Sequence, residues 1–399
     1  MTMLGFVRFA TIQAFLVAIL AAATAMSSVA AVAAAAARAA APAATPAAAA
    51  TPAAAAAPTA AAAAFEDLLR GRPSVAALGG ARFASTAERW KPTGVHVSAG
   101  QDATVFGFGG DVGARVWIRI GDADVVNLGE ETYSFRAWAS GEIEVAAPPA
   151  GVNWERCDGT LPASADALPA EALDLAVVAV AWKAPLAEAL AGLPAHDAVA
   201  RAKADVERAR PLPPGFRSVC YLRRTNVFEA WQGDGRRGVW GNAASSAGII
   251  KRAVDLPLDR SSEISFEWRY DALHAKGPET EARHHDYSSI AVELDNGQDI
   301  TWMRSPHLEA GASFRCPLPW WDERETHIVL QGGRDDVGVW QSHTRRILDD
   351  YERAVGGEPP TRIVGVWFIS VGVFGGTTPD TKYANVVLRS GGQTIDVFE

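Results

Sequence analysis

Two glutamates and an aspartate in the second half of the 399-residue chain have the setting that glycoside chemistry uses. Glu267 lies within Ser262–Tyr270, where Ile264, Phe266, Trp268 and Tyr270 fall on one side and Ser265, Glu267 and Arg269 on the other. Glu293 sits in the alternating run Tyr287–Leu294, on the side of Tyr287, Ser289 and Ala291. If the two runs are neighbouring strands, the glutamates share a sheet face. Paired carboxyl groups then supply acid and nucleophile, or acid and base, for cleavage of a glycosidic bond. Arg269 beside them lowers one pKa while burial raises the other. The plainer expectation is a solvated polar face with Arg269 in an ordinary salt bridge, since every alternating strand has such a face.

His284-His285-Asp286 is the densest polar cluster. It suits a metal or a proton shuttle through imidazole and carboxylate, although adjacent residues are not at a recognised ligand spacing. The competing expectation is a strand-entry loop in which Asp286 holds backbone amides. Thirteen tryptophans against four methionines are unusual. Trp302, Trp320, Trp321 and Trp340, with Trp231 and Trp240, are candidates to line a sugar cleft, and core packing is the ordinary use of such rings. Gly332-Gly333-Arg-Asp-Asp336 has the acids for a structural calcium, with a plain turn as the simpler reading. No other cofactor is expected. Gly-Lys-Ser phosphate loops, Gly-x-Ser-x-Gly elbows and His-Glu-x-x-His helices do not occur, so nucleotide, esterase and zinc-protease chemistries lose support.

Around these residues the chain divides by composition. A net charge of −9 without a basic stripe disfavours nucleic acid as a partner. Arg8 precedes an apolar stretch from Phe9 to Met26, and Ala23-Thr-Ala25 and Ser28-Val-Ala30 offer small-x-small cleavage sites. Residues 1–30 therefore read as an export signal, with an uncleaved anchor as the alternative and the only expected membrane contact. Residues 31–64 are Ala-rich with prolines at 42, 46, 52 and 58, which predicts a semi-rigid spacer. A periplasmic or secreted location follows. Export permits disulfides. Cys157, Cys220 and Cys316 are odd in number; Cys220 and Cys316, in the same half, are the expected pair, and without a C-x-x-C spacing no metal site is expected.

Short alternating runs from Trp90 to Trp182, separated by turn residues, predict a first β-sandwich over 65–184. Residues 185–214 have helix-favouring composition and end at Pro211-Leu-Pro-Pro-Gly215, a helical connector. Residues 215–399 alternate again, with buried-strand runs at His327–Leu330 and Ile363–Val373. Ile347, Leu348, Tyr351 and Val355 predict one helix over Gln341–Val355. The fold class expected is all-β: two jelly-roll-like sandwiches joined by a short helical connector.

Two resemblances bear on this division. Trp90-x-x-Thr-Gly-Val-x-Val-x-x-Gly100, followed by Phe106-Gly-Phe-Gly109, resembles the galactose-binding-like sandwich of bacterial lectins. Its late loop here holds Asn153 and Asp158 but not the adjacent Asn-Asp pair that binds calcium and sugar in that family. The resemblance thus implies the fold and not the calcium site. The second half resembles the uncharacterised bacterial domain of unknown function 3047. The match rests on Phe266-Glu-Trp268, Asp286 leading into the run to Leu294, and Trp340 followed by Arg346-Ile-Leu-Asp-Asp-Tyr351. It closes on Ile363-Val-Gly-Val366 and Tyr383-Ala-Asn-Val-Val387. Where many members carry Asp after the last strong strand, this chain has Ser370–Gly376. The resemblance implies a jelly roll and little chemistry.

The functional expectation is an exported, carbohydrate-binding β-sandwich protein at the cell envelope, whose partner is a glycan or envelope polysaccharide. Arg269, His285, Trp302, Trp320, Trp321 and Trp340 would contact the ligand. The alternatives are a glycoside hydrolase using Glu267, Asp286 and Glu293, and a structural or assembly module.

Overall fold

The computed structural model describes residues 57–86, 90–149, 157, 159–160, 169–220, 222 and 224–399. The proposed signal and most of the spacer lie outside them. Among the described residues no helix is long and apolar enough to cross a membrane.

The first half packs two four-stranded antiparallel sheets face to face. In order along the chain the strands are β1 (Val75–Ser85), β2 (Lys91–Val97), β3 (Asp102–Phe108), β4 (Trp117–Ile120), β5 (Val126–Asn127), β6 (Thr132–Arg136), β7 (Gly141–Ala146) and β8 (Ala172–Trp182). One sheet has the order β1-β8-β3-β6 and the other β2-β7-β4-β5. The continuous apolar run of β8 has a specific cause: both its faces are buried. Leu175, Val177, Ala179 and Ala181 enter the core between the sheets. Ala176, Val178, Val180 and Trp182 face a layer of helices on the other side.

That helical layer changes two expectations. The helix Pro58–Leu69 begins inside the residues assigned to the spacer, and Ala62, Phe65 and Leu69 are buried. Pro58 occupies the first helical turn, where its missing N–H costs nothing, so it starts a helix instead of breaking one. Phe65 then locks the helix down, with ring centroids 4.8 Å from Phe106 and 5.6 Å from Phe108. The helices Leu186–Ala191 and Asp197–Arg208 supply Ala189, Leu190, Ala198, Val199 and Ala202 to the same core, so this segment is part of the first module's packing and more than a connector.

The second half is a sandwich of a six-stranded and a seven-stranded sheet. Its strands are β9 (Phe216–Ser218), β10 (Phe228–Gly233), β11 (Arg236–Asn242), β12 (Ala247–Pro257), β13 (Glu263–Ala272), β14 (Tyr287–Leu294), β15 (Asp299–Ser305), β16 (Ser313–Arg315), β17 (Glu325–Gly332), β18 (Gln341–Arg346), β19 (Arg362–Val371), β20 (Asp380–Ser390) and β21 (Gln393–Asp396). The six-stranded sheet runs β10-β11-β20-β13-β18, with β21 on β20; the other runs β16-β17-β15-β14-β19-β12-β9. Ile264, Phe266, Trp268 and Tyr270 of β13 meet Ile290, Val292 and Leu294 of β14 in the core between them, which confirms the face assignments of both strands.

The helix expected over Gln341–Val355 is shorter. Gln341–Arg346 is the edge strand β18, paired with β13, and only Ile347–Ala354 is helical. The edge of β13 offers a row of backbone partners, and His343 turns inward against Phe266 and Trp268 at 5.5 and 4.6 Å. This tertiary contact overrides local propensity. Asp350, 1% exposed, then anchors the helix: it accepts hydrogen bonds from Arg345, Arg353 and the indole of Trp302.

Strands β15 and β17 pair in parallel, unlike their neighbours. A parallel pair needs a long crossover. Here it is residues 306–324, which carry β16, Cys316, Trp320 and Trp321.

Candidate functional site

The two glutamates do not meet. Glu267 is on β13 of the six-stranded sheet and Glu293 on β14 of the seven-stranded one. Both point away from the shared core, so the full thickness of the sandwich separates them. The two runs are not neighbouring strands, since β13 and β14 lie in different sheets.

On the outer face of the six-stranded sheet, Glu267 accepts from Arg236 (2.7 Å), Asn385 (2.7 Å) and Ser342 (3.1 Å). Burial raises its pKa, but these donors outweigh it and hold the carboxyl below its usual range. A carboxylate so held does not serve as a general acid. Arg269 bonds Asp234 and Asp271 at 3.0 and 2.8 Å. Trp340, also in this cluster, has the guanidinium of Arg236 4.7 Å and that of Arg269 5.5 Å from its ring centre, and its N–H points to Asp234. Trp231 comes from the opposite edge strand and reaches Trp340, centroid to centroid 5.5 Å. The Trp231 ring lies over Gly233, two residues further along the same strand, where a Cβ would come within 2.7 Å of the indole. Both indoles are half-buried. Trp231 also lines an open groove of about 280 Å³ with Pro213, Gln232, Arg237 and Phe398.

On the outer face of the seven-stranded sheet, Glu293 is bonded by Lys251 and, at 3.1 Å, by the indole of Trp367. Arg324 lies within ion-pair reach of Glu293 and Asp299, at 3.5 and 3.0 Å, and has Trp320, Trp321 and Trp367 around its guanidinium at 5.1–5.7 Å. Trp320 and Trp321 are thus half-buried partners of a cation. Trp320 adopts a left-handed backbone, φ 73°, where a bulky residue is strained.

The remaining candidates are interior. Trp302 is fully buried, with its N–H on Asp350, and has no surface for a ligand. Asp286 is 1% exposed and accepts from the amides of Phe374 and Gly375, each at 2.9 Å, and from the hydroxyl of Thr377 at 2.6 Å. It therefore ties down the loop after β19. In the loop 332–336, the carbonyls of Gly333 and Asp336 each accept from the guanidinium of Arg304 at 3.4 Å.

The disulfide also differs from expectation. Cys157 bonds Cys220, across the two halves, and Cys316 is the free, buried thiol. Arg217 pairs with Asp124 beside it, so β9 is held against the first module while Cys316 is carried away on the crossover.

Cys316 instead joins a cluster that spacing did not reveal. His285 enters β14, Cys316 follows β16, and Glu325 and His327 lie two apart on one face of β17. Their donor atoms all lie within 4.8 Å of one another, and the four residues are 0–2% exposed. The register Glu293–Asp299–Glu325 extends the line of carboxylates across three strands. Burial pushes Asp299 up to about 7, with Glu293 adding and Arg324 opposing. Burial likewise raises the Cys316 thiol and pulls His285 down to about 3. A protonated thiol and a neutral imidazole, closed to solvent, are not an activated nucleophile. A signal was present in the sequence: Glu-x-His in a strand places both side chains on one face. Cys316 and His285 arrive only through tertiary structure.

Residues 217–387 match the family described as Protein of unknown function (DUF3047), the family whose pattern the second half resembles. Of the stretch Arg346–Tyr351 that carries the resemblance, Asp350 has a physical role here, since it pairs with Arg345. No curated protein matches this chain. Among solved structures, the xyloglucanase domain of NopAA, a type three effector from Sinorhizobium fredii in complex with cellobiose, aligns at 11% identity. It covers 45% of this chain and 100% of its own, with a TM-score of 0.27. A family 12 xyloglucanase from Bacillus licheniformis aligns at 11%, over 45% of this chain and 95% of its own, TM-score 0.28. A carbohydrate-binding module specific for non-crystalline cellulose aligns at 9%, over 44% and 89%, TM-score 0.26. Scores of this size carry no inference about activity.

Proposed function

We propose that the chain binds a polysaccharide on the outer face of the six-stranded sheet. The observation that carries this is the Trp231–Trp340 contact across that face, ringed by Arg236, Arg269, Glu267 and Asp234. Sugar rings pair an apolar face with a rim of hydroxyls. Indoles supply the apolar partner, and fixed guanidinium and carboxylate groups supply donors and acceptors at their edges. Separation of Glu267 from Glu293 leaves no carboxyl pair for hydrolysis between them, so binding without cleavage is the better reading. We place this activity outside the cytoplasm, at the envelope; the apolar N-terminal stretch and the inter-module disulfide support that location.

The test is affinity electrophoresis of the whole chain through a panel of soluble plant and bacterial polysaccharides. One or more should retard it. Trp231→Ala and Trp340→Ala should each weaken binding by about tenfold or more, as truncated aromatic anchors do. Retardation unchanged in both variants, or absent for every polysaccharide, would defeat the proposal.

A further inference from the structure

The geometry points to a second, unrelated site: we propose that His285, Cys316, Glu325 and His327 bind one zinc-class divalent ion in a closed tetrahedral set. Nitrogen, sulfur and carboxylate oxygen are the donors such ions take, and four protein ligands with no open position mark a structural ion. Two edges of the tetrahedron are already formed. Cys316 Sγ lies 3.4 Å from His285 Nε2, and His327 Nε2 lies 3.5 Å from Glu325 Oε2. Bonds of the usual zinc lengths make edges of roughly 3.3–3.8 Å, so the widest separation, 4.8 Å, has to close by about 1 Å.

Independent evidence comes from His327. It is 0% exposed, and neither ring nitrogen has a hydrogen-bond partner. Buried polar atoms left so cost about 1–3 kcal/mol each. An ion bound at Nε2 removes the cost at that nitrogen. Charge also balances, because a thiolate and a carboxylate together neutralise a dication in an interior that tolerates no net charge.

The surroundings are those of a built site. Nδ1 of His285 donates to the carbonyl of Glu279 at 2.9 Å, which turns the Nε2 lone pair inward. Tyr287 and Thr301 both donate to Oε1 of Glu325 at 3.1 Å, leaving Oε2 for the cluster. Phe314 stacks on His327 at 4.8 Å, and Met303 and Val329 complete an apolar shell. The ion would clasp the end of the crossover to β14 and β17, and it explains why the third cysteine is kept reduced.

The experiment is metal analysis of the purified whole chain, followed by exchange with cobalt(II) under mild denaturant and refolding. We expect one zinc per chain by atomic emission. The cobalt form should show the intense visible bands of tetrahedral cobalt and a thiolate charge-transfer band. Cys316→Ala should abolish the charge-transfer band. Tyr287→Phe keeps the ring and should fold; it should weaken zinc binding by about 10–100-fold through loss of the hydrogen bond to Glu325. A natively folded wild type that takes up no stoichiometric zinc or cobalt overturns the proposal. So does a cobalt spectrum without the thiolate band, or zinc affinity unchanged in Tyr287→Phe.

Discussion

Replacing Asp286 by Ala separates a catalytic from a structural role for this residue. Its carboxylate receives two amides and a hydroxyl from residues 374–377. Hydrogen bonds to a charged group contribute about 1.5–3 kcal/mol each, but these donors are only part-buried and regain water when the acceptor is lost. A net cost of about 1 kcal/mol per bond, some 3 kcal/mol in all, is therefore expected for the substitution. For a module of this size each kcal/mol moves Tm by about 2–4 °C, so the variant should melt about 6–12 °C lower. Asp286→Asn keeps one acceptor oxygen and should show roughly half that shift. The assay is thermal denaturation followed by tryptophan fluorescence, with polysaccharide affinity measured on the same samples below the transition. Unchanged affinity with a lowered Tm fits the loop-anchoring role. An unchanged Tm with lost affinity would refute it and return Asp286 to the ligand site.

His274, buried beside Tyr270, has its pKa pulled down to about 4 by burial, while the unfolded value is near 6.5. The unfolded chain therefore binds the proton first. The stability this residue supports is complete above about pH 6.5 and falls toward pH 4, at about 1.4 kcal/mol per pH unit. His274→Phe should flatten the acid limb of a Tm–pH curve; parallel curves would exclude the assignment. Asp350→Ala leaves Trp302 and Arg345 without their buried acceptor and should cost about 3–5 kcal/mol in urea unfolding. Trp302→Phe should lower stability and leave polysaccharide affinity untouched, and a selective loss of affinity would contradict its place in the core. Thiol titration of the unreduced chain in denaturant and chelator should find one reactive cysteine. Reduction should destabilise by up to about 4 kcal/mol, from opening a loop of 63 residues; three thiols before reduction would count against the Cys157–Cys220 bond.

Side-chain alternation made the second module legible. The run Ile264–Tyr270 identifies its own core face, and so does Ile290–Leu294, because a strand's two faces are decided locally. Strand adjacency is not local, and the same two runs gave no warning that β13 and β14 occupy different sheets. Trp302 and Trp340 show the same limit. One is sealed and the other half-buried, yet nothing in their neighbours along the chain distinguishes them. The grouping of His285, Cys316, Glu325 and His327 was hidden for a related reason. His285 and Cys316 are 31 residues apart and meet only because a parallel strand pair forces a crossover. The helix start at Pro58 is not legible locally, because alanine next to proline serves a helix terminus as well as a spacer.

The Cys157–Cys220 bond also sets how the molecule bears load. Strand β8 and the two helices up to Arg208 lie inside the covalent loop it closes. Tension applied between the Pro58 helix and the C-terminus therefore passes through the sulfurs and bypasses β8. That strand sits inside the sheet β1-β8-β3-β6 and feeds both cores of the first module. While the bond is intact, a pull on the second module cannot draw out the element on which the first depends most. After reduction the same pull acts on β8 directly.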